Sequence, residues 1–414
     1  MNVKRCFIIC LSLLTLTCCS PAVTPAPAPS PSPTGTTVPV PVPPPPAPAY
    51  DPEPTTITVC AKGCDYPTIR AALNDVNTTA GAVITVLDAV HTEAGIHVHK
   101  DVTIQGLSAD RTVVQAHAVL SGAPDRVFFV PESASVSIKG LTIQHGRAYE
   151  GDLSGGGVSN LGVCTLEACV IRDNSANDGG GVFNHGTLTI VHCAIHGNLA
   201  DRQAPPGYEC GSGGGVKNGF RSTLIMENST ISGNVALGKG GGVFVACEGS
   251  ATLTNCTISS NKAARDGGGV HVRGPTELVH CTVADNVTSR QGGGIYVRNT
   301  LQWSNCLVAR NAPQDVTLGG EGGYQGRGTI SAAQHNWVAD ASCPCDHSGD
   351  PLLDVLADNG GGTLTHALLS GSPAIDCIPA TACSVPYDQR GQPRPIQVGS
   401  GAAVCDMGAF EWQP

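Results

Sequence analysis

The sequence predicts an all-β solenoid of stacked parallel coils, because two short phrases recur in phase along the middle of the 414-residue chain. The first phrase is a glycine triplet followed by a short apolar strand, and its six copies begin at positions 155, 179, 213, 240, 267 and 292. The second phrase resembles "CTISSN", and its copies end at Asn174, Asn198, Asn234, Asn261, Asn286 and Asn311. A short period without a helical 3.6-residue pattern is typical of one solenoid coil.

Each phrase contains residue types that suit a coil. In the strand after each triplet, alternation sends the first residue to one face and its successor to the other. Glycine supplies positive φ where the chain turns a corner, and asparagine tolerates left-handed backbone while its amide bonds to the next copy. Equivalent residues then stack about 4.8 Å apart. We therefore expect each coil to cover the edge of the coil before it.

The N-terminal region predicts export and attachment to a membrane. Lys4 and Arg5 precede an apolar run too short to span a membrane, so residues 1–18 are predicted to be a secretory signal. The segment "LTCC" resembles the lipobox of bacterial lipoproteins, which implies lipidation of Cys19. Residues 19–56 form a proline-rich tether with a reach on the order of 100 Å. We expect a lipid-anchored protein of the bacterial cell envelope, at the cell surface or extracellular, with simple secretion as the alternative.

Residues 57–335 are predicted to form the solenoid. The segment "YPTIRAALNDV" places Ile69, Ala72, Leu73 and Val76 in a helical stripe, which predicts a capping helix at the N-terminal end. Strands such as "AVITVL" and "SVSIKGLTI" then predict less regular early coils. This layout resembles the pectate-lyase-like proteins, which implies a right-handed, single-stranded parallel β-helix. The glycine coils also resemble, more loosely, the repeats of polymorphic outer-membrane proteins.

Residues 336–414 contain three distinctive segments, "DPLLDVLADNGGGTLTHALLSGSPAIDC", "YDQRGQPRP" and "CDMGAFE". Together these segments resemble the choice-of-anchor Q domain of bacterial surface proteins. The resemblance implies that this part of the chain forms the C-terminal end or cap of the β-helix. Members of that family have no common reaction, so the resemblance implies a fold and no activity.

The cysteines divide into two groups. Five occupy one repeat position, with Ser229 in the sixth copy: Cys169, Cys193, Cys256, Cys281 and Cys306. We expect these to be buried free thiols, because stacked inward side chains have poor Cβ vectors for bridging. The expected disulfides of an exported protein are Cys60 with Cys64 and two of Cys377, Cys383 and Cys405. The segment "CPCDH" lacks a standard zinc spacing, so loop disulfides are favoured there over a metal site.

A column of outward residues follows the glycine triplets, and we expect it to be exposed. Its members are Ser159, Phe183, Lys217, Phe244, His271 and Tyr296. A second ladder lies two positions further on and consists of Leu161, His185, Gly219, Ala246, Arg273 and Arg298. Aromatic rings suit stacking on sugars, and basic groups suit acidic sugars. The predicted glycan-binding residues are therefore Phe183, Phe244, His271, Tyr296, Arg273 and Arg298. The alternative is that the aromatic residues only stack on the sheet, or that the loop 199–212 folds over them.

Catalysis is less favoured than binding. A glycosidase needs two positioned carboxylates, and neither ladder contains Asp or Glu. A β-helix lyase needs clustered acids for Ca²⁺ and a base, for which Arg273 or Arg298 is the candidate. Acidic residues at the turn edge keep a calcium site there as an alternative; they are Glu150, Asp152, Asp178 and Asp266. Otherwise no metal and no cofactor is predicted.

These observations predict a non-catalytic module for adhesion or glycan binding. Its expected partners are the membrane, through the lipid anchor, and a polysaccharide or a ligand on a host or other cell surface. The formal net charge of −10 argues against nucleic acid as a partner. The alternative functions are a polysaccharide lyase and a structural spacer of the envelope.

Overall fold

The structure, a computed structural model, describes residues 54–149, 154–201, 211–320, 328–343, 345–397 and 402–413. The predicted signal 1–18, the lipidation site Cys19 and all but the last three residues of the tether 19–56 lie outside the described residues. The chain divides into two units, Met1–Glu53 and Pro54–Pro414, and the described residues all belong to the second. Within the described ranges, no helix is long and apolar enough to cross a membrane.

The described strands form a parallel solenoid, as predicted, with four sheets running along it. Sheet A contains Thr56–Val59, Val83–Val86, Val102–Gln105, Ser135–Lys139, Val163–Glu167, Thr187–Val191, Thr223–Glu227, Ser250–Thr254, Thr276–Val279, Thr300–Ser304 and Thr329–Gln334. Sheet B contains Val90–Thr92, Val113–Gln115, Thr142–Gln144, Val170–Arg172, Ala194–His196, Thr230–Ser232, Thr257–Ser259, Thr282–Ala284, Leu307–Ala309 and Trp337–Val338. Sheet C contains Ile96–His97, Phe128–Val130, Val158–Asn160, Val182–Asn184, Val216–Asn218, Val243–Val245, Val270–Val272, Ile295–Val297 and Val316–Leu318. Sheet D contains Arg147–Ala148, Ser175–Ala176, Leu199–Ala200, Val235–Ala236, Lys262–Ala263 and Val287–Thr288.

Each coil contributes one strand to each sheet in the repeated region, and the inward side chains form a single core. In sheet B, for example, Ile195, Ile231 and Ile258 are stacked in register and fully buried. The same alternation that sends these residues inward sends their neighbours outward. The core therefore extends along the whole solenoid axis, and each coil depends on the next for burial.

The asparagines that end the second phrase form a buried amide ladder, as predicted. The Nδ2 atom of Asn234 donates to Oδ1 of Asn261 at 3.0 Å, and Asn261 donates to Oδ1 of Asn286 at 3.0 Å. The expected left-handed backbone lies one residue earlier than predicted, for instance at Ser260, with φ of 56°, and at Asp285, with φ of 59°. The asparagine is therefore required because its side-chain amide both donates and accepts a hydrogen bond. The residue before it adopts the left-handed backbone conformation at the turn.

The free and bonded cysteines separate as the sequence predicts. Cys169, Cys193, Cys256, Cys281 and Cys306 are free and buried. Their sulfur atoms and the hydroxyl of Ser229 form hydrogen bonds with backbone groups. For example, the backbone N–H of Cys193 donates to Ser229 Oγ at 3.0 Å. Disulfides join Cys60 to Cys64, Cys343 to Cys345 and Cys383 to Cys405. Both predicted disulfides are confirmed, and Cys343 and Cys345 of the "CPCDH" segment are bonded to each other.

The predicted capping helix spans Ile69–Asn74 and packs against the first coil. It buries Ile69, Ala72 and Leu73, whereas Val76 lies beyond the helix end and is 89% exposed. The carboxylate of Glu93 accepts hydrogen bonds from the backbone N–H groups of Ile69 at 2.9 Å and Arg70 at 3.1 Å. A negative group at this position satisfies free N–H donors at the helix start.

The Glu93→Gln substitution is expected to weaken this cap by about 1–2 kcal/mol, because a neutral amide replaces charge-assisted hydrogen bonds. His91 Nε2 also lies 3.1 Å from Glu93 Oε2, so the buried imidazole loses a charged partner. Hydrogen exchange of residues 69–74 measures the effect. Glu132→Gln, at an exposed glutamate, is the control; equal exchange in both variants would contradict the proposed role of Glu93.

The C-terminal residues 353–397 and 402–411, which we name the strap, lie along the outer face of sheet B. Gln389 Nε2 donates to Thr230 Oγ1 at 2.9 Å, and Ala409 N donates to Thr282 Oγ1 at 2.9 Å. The strap contains two short antiparallel pairs, Leu353–Ala357 with Thr365–Leu368 and Ile378–Pro379 with Val404–Cys405. Trp337–Val338 is the last strand of sheet B, and the strap that follows it reaches back along the side of the solenoid.

Candidate functional site

The predicted column exists as one ladder on the outer face of sheet C. Its residues pair in register from Ser159 through Phe183, Lys217, Phe244 and His271 to Tyr296. Neighbouring rings are in contact: Phe244 and His271 are stacked with their centroids 5.1 Å apart, and Tyr296 is tilted against His271 at the same centroid distance. Lys217 Nζ lies 5.5 Å from the centre of the Phe244 ring. The sequence therefore predicted the composition and order of this column correctly.

The expectation that this column is exposed is wrong. Phe183 is 9% exposed, Phe244 1%, His271 0% and Tyr296 8%. The triplet glycines close against the base of the column, since a Cβ atom on Gly240 would lie 2.9 Å from Cβ of Phe244. Strand alternation shows which residues leave the core, but it contains no information about what packs over them. The aromatic side chains of the column, although on the outer face of sheet C, are therefore packed against other parts of the chain and do not face solvent.

The loop 199–212 was the predicted alternative cover for the column. Residues 202–210 of that loop lie outside the described residues, as do the turn-edge acids Glu150 and Asp152. The described turn-edge acid Asp178 forms an ion pair with Lys217, at 2.9 Å, and accepts a hydrogen bond from the backbone N–H of Ser212 at 2.9 Å. Asp178 therefore holds the turn and column together in a structural role.

His271 is the most unusual member of the column. It is fully buried, and neither ring nitrogen has a hydrogen-bond partner among the described residues. Burial lowers the pKa of His271 well below its usual value, and the nearby charges of Lys239 and Arg298 lower it further. The imidazole is therefore neutral at physiological pH and acts as a flat ring between two aromatic neighbours.

Five basic residues flank the column, and we name them the basic rim: Lys239, Arg265, Arg273, Arg290 and Arg298. Arg265 and Arg290 share the repeat position two residues before a glycine triplet, and Lys239 directly precedes one. Arg273 and Arg298 occupy adjacent coils two positions after the column residues. The column is thus bordered by cations at both ends of its strands.

The electrostatic effect of the rim is visible at Lys239. Burial lowers the pKa of Lys239 to about 8; the carboxylate of Asp266 opposes this shift, and the charge of Arg298 adds to it. Arg265 and Arg290 act in the same direction. Lys239 therefore lies within range of three arginine charges of the rim and of the opposing Asp266 carboxylate, although the chain as a whole is acidic.

Sequence reasoning found Arg273 and Arg298 but missed the other members of the rim. A comparison of the charged residues at each repeat position would have found them, because each lies within two residues of a glycine triplet: Lys239, Arg265 and Arg290. Across the described parts of the chain, no cluster of three or more His, Cys, Asp or Glu side chains could hold a metal ion. The fold thus gathers the basic side chains of the rim around the predicted column.

Comparison with known families and structures identifies the architecture. The chain matches the family described as "Right handed beta helix region" over residues 127–323. The fold is a right-handed parallel β-helix. No curated protein matches the chain. The crystal structure of pectate lyase Pel9A is similar to this β-helix with 12% sequence identity and a TM-score of 0.51, over 87% of this chain and 98% of that chain.

Two further solved structures are similar at lower scores. A pectin methylesterase from Aspergillus niger has 14% identity and a TM-score of 0.38, over 72% of this chain and 91% of that chain. Geobacillus virus E2 ORF18 has 13% identity and a TM-score of 0.40, over 68% of this chain and 52% of that chain. At 12% identity, the likeness to Pel9A shows the β-helix fold alone, which unrelated functions share.

Proposed function

We propose that this protein is a lipid-anchored lipoprotein of the bacterial cell surface whose β-helix binds acidic polysaccharide without catalysing a reaction on it. The observation that carries the proposal is the basic rim, which gathers five cations in a chain with a formal net charge of −10. Within the rim, Arg290 is exposed and Arg298 is partly exposed, so ligand groups can approach them. The expected biological role is adhesion to a polysaccharide or to a glycan on another surface.

The geometry of the rim favours an extended, repeating anion. Cations at equivalent positions of successive coils repeat about every 4.8 Å along the axis. A polysaccharide with a carboxylate on each sugar offers a repeating set of charges in the same direction. Arginine binds such groups through two parallel hydrogen bonds, which gives geometric preference as well as charge attraction. Buried Phe244, His271 and Tyr296 support this surface from below and are not proposed to stack on sugar.

The Arg290→Ala/Arg298→Ala double variant is expected to weaken binding to polygalacturonate or alginate at least about tenfold, since two charge-assisted contacts are lost. The same two-charge change at exposed Lys62 and Arg111, near the N-terminal end of the solenoid, is the matched control. Affinity is measured by titration at low and moderate salt, with circular dichroism to verify folding. An equal loss in both double variants would show a general charge effect and contradict the proposed site.

A polysaccharide lyase is the second candidate function, and the low pKa of Lys239 favours it. A lysine with a pKa of about 8 is partly neutral in weakly alkaline solution and can accept a proton. Incubating the wild type with acidic polysaccharides, with and without calcium, and measuring new chain ends separates the two functions. Binding without new ends supports the adhesive module, whereas ends that disappear in Lys239→Ala would establish the lyase. A purely structural spacer gives neither binding nor ends.

A further inference from the structure

The strap is fastened to the solenoid by a buried cluster of charged residues. Its members from the strap are Asp388, Arg390, Arg394, Asp406 and Glu411, and His280 of the solenoid completes it. Side chains of Arg394 and Glu411 are 0% and 1% exposed, and those of Arg390 and Asp388 are 8% and 0% exposed. Charges this deeply buried are costly unless they are paired, so their arrangement controls how firmly the strap is held.

Contacts within the cluster cross between strap and solenoid. Arg394 Nε lies 2.9 Å from Glu411 Oε2, and Arg394 Nη1 donates to Nδ1 of His280 and to the carbonyl oxygen of Gly408, the latter at 3.1 Å. Glu411 Oε2 also accepts a hydrogen bond from the backbone N–H of Asp406 at 3.0 Å. Arg394 therefore links the terminal turn of the strap to a histidine in the wall of the solenoid.

Asp388 forms the other half of the cluster. Its Oδ2 atom lies 2.8 Å from Nη2 of Arg390 and accepts a hydrogen bond from the backbone N–H of Glu411 at 2.9 Å. The Oδ1 atom of Asp388 accepts from the backbone N–H groups of Arg390, at 2.8 Å, and Gln392, at 2.9 Å. These contacts engage both oxygens of the Asp388 carboxylate and pair it directly with Arg390.

The charges of the cluster do not balance when every carboxyl group is ionised. Two guanidinium groups then face three carboxylates, because the pKa of buried His280 is lowered well below its usual value and the ring stays neutral beside Arg394. One uncompensated negative charge in a buried site is unfavourable. Binding of one proton removes it. Asp388 is paired with Arg390, so we assign the excess negative charge to the carboxyl groups of Asp406 and Glu411.

We propose that the strap is a proton-dependent clasp: one proton bound by the Asp406 and Glu411 carboxyl pair holds it against sheet B, and loss of that proton loosens it. Loosening uncovers the outer face of sheet B that the strap now buries, including Thr230, Thr257 and Leu307. The clasp is separate from the basic rim, which lies around sheet C, so its test is independent of glycan binding.

The direction of the pH dependence follows from the raised pKa values of the pair. Burial raises the pKa of Asp406 from 3.8 to about 6 and that of Glu411 from 4.5 to about 7, while Arg394 opposes both shifts. A raised carboxyl pKa gives stability that is complete below the unfolded value and is lost as the pH rises through the folded value. The clasp therefore loosens as the pH rises through 6 and 7. The backbone N–H groups of Asp376 and Trp412 donate to the Asp406 carboxylate and also oppose its shift, while the negative charge of exposed Asp376 has a smaller effect that favours the proton.

Two histidines act in the opposite direction. The pKa values of His280 and His366 are lowered by burial, so their stabilising contribution is present above about 6.5 and declines at lower pH. His366 lies in the strap, where its Nε2 atom is 2.9 Å from Ser259 Oγ, and it faces the charges of Asp285 and Arg310. The two effects therefore oppose each other below about pH 6.5, and above it only the loss of the proton from the carboxyl pair changes how firmly the strap is held.

Hydrogen exchange of the full-length chain, corrected for intrinsic rates, tests the clasp. Between pH 6 and pH 8, protection of the strap amides that donate to the solenoid, those of Gly408 and Ala409, is expected to fall about tenfold or more, since one proton gives up to tenfold per pH unit. The backbone N–H of Val243, which is bonded within the solenoid, provides the internal reference. Unchanged protection of the strap across this range in the wild type would overturn the proposal.

The Glu411→Gln substitution mimics the protonated carboxyl group, so the strap is expected to stay protected at pH 8. Glu277→Gln, at an exposed glutamate of sheet A, is the matched control and is expected to keep the pH dependence of the wild type. Asp406→Asn serves as the second variant if Glu411→Gln does not fold. A folded Glu411→Gln protein with the same pH dependence as the wild type would also overturn the proposal.

Discussion

Replacing Gly241 with alanine is expected to be among the most destabilising single substitutions in the chain. Gly241 is the second glycine of its triplet, and an added Cβ would collide with the carbonyl oxygen of Gly268 and lie 2.6 Å from the carbonyl carbon of Lys262. Both atoms belong to the backbone of the next coil and cannot turn away. Coils would have to separate along the axis, with an expected cost of about 3 kcal/mol or more.

Gly233→Ala is the matched control for this prediction. Gly233 has a positive φ of 61°, but an added Cβ would have no heavy atom within 4 Å. Its cost is therefore only the left-handed strain of about 1–2 kcal/mol. The midpoint of urea unfolding measures both variants. If Gly233→Ala destabilises the protein as much as Gly241→Ala, close stacking of the coils is not the reason why the triplets recur along this chain.

Replacing Asn261 with alanine is expected to cost about 3–5 kcal/mol, because it interrupts the amide ladder at its middle. Oδ1 of Asn261 accepts from both the backbone N–H and Nδ2 of Asn234, each at 3.0 Å. Its own Nδ2 donates to Asn286 and to the carbonyl oxygen of Ile231. The substitution leaves several buried polar atoms without partners, which costs more than the hydrogen bonds contribute.

Asn261→Asp separates geometry from chemistry at the same position. Asp315 occupies the end of the ladder, where its Oδ1 atom accepts a hydrogen bond from Nδ2 of Asn311 at 2.8 Å and its Oδ2 atom accepts from the backbone N–H of Asp340 at 3.1 Å. A carboxylate fits that terminal position because no donor is needed there. In the middle it would face Oδ1 of Asn286, so Asn261→Asp is expected to destabilise about as much as Asn261→Ala. Asn77→Ala, at an exposed asparagine, is the control. A neutral effect of Asn261→Asp on the urea midpoint would contradict the directional ladder.

These two features show why the fold could be predicted from sequence. Glycine triplets and terminal asparagines recur because each satisfies a contact to an identical neighbour, so their physical role is repeated in the sequence itself. The predictions that were wrong concern the conformation of single positions and not the repeat itself. The left-handed residue was assigned to Asn261 and its equivalents, whereas it is Ser260 and its equivalents, since the asparagine side chain must point inward to reach the next amide.

The candidate site was less predictable because exposure depends on contacts between distant segments. The order of Phe244, His271 and Tyr296 followed from strand alternation, but their burial did not. The strap presents the same difficulty, since nothing in the local pattern around Arg394 reveals that it reaches His280, 114 residues earlier in the chain. Charges of the basic rim come from separate coils and are brought together only when the coils stack.

A titration with two polysaccharides of the same backbone tests the proposed binding function most directly. The wild type is titrated with an acidic polysaccharide and with the same polymer after reduction of its carboxyl groups to alcohols, at two salt concentrations. We predict binding of the acidic polymer that weakens as salt rises, and little binding of the reduced polymer, because the basic rim recognises charge. Equal affinity for both polymers, or no binding of either, would contradict the proposed function.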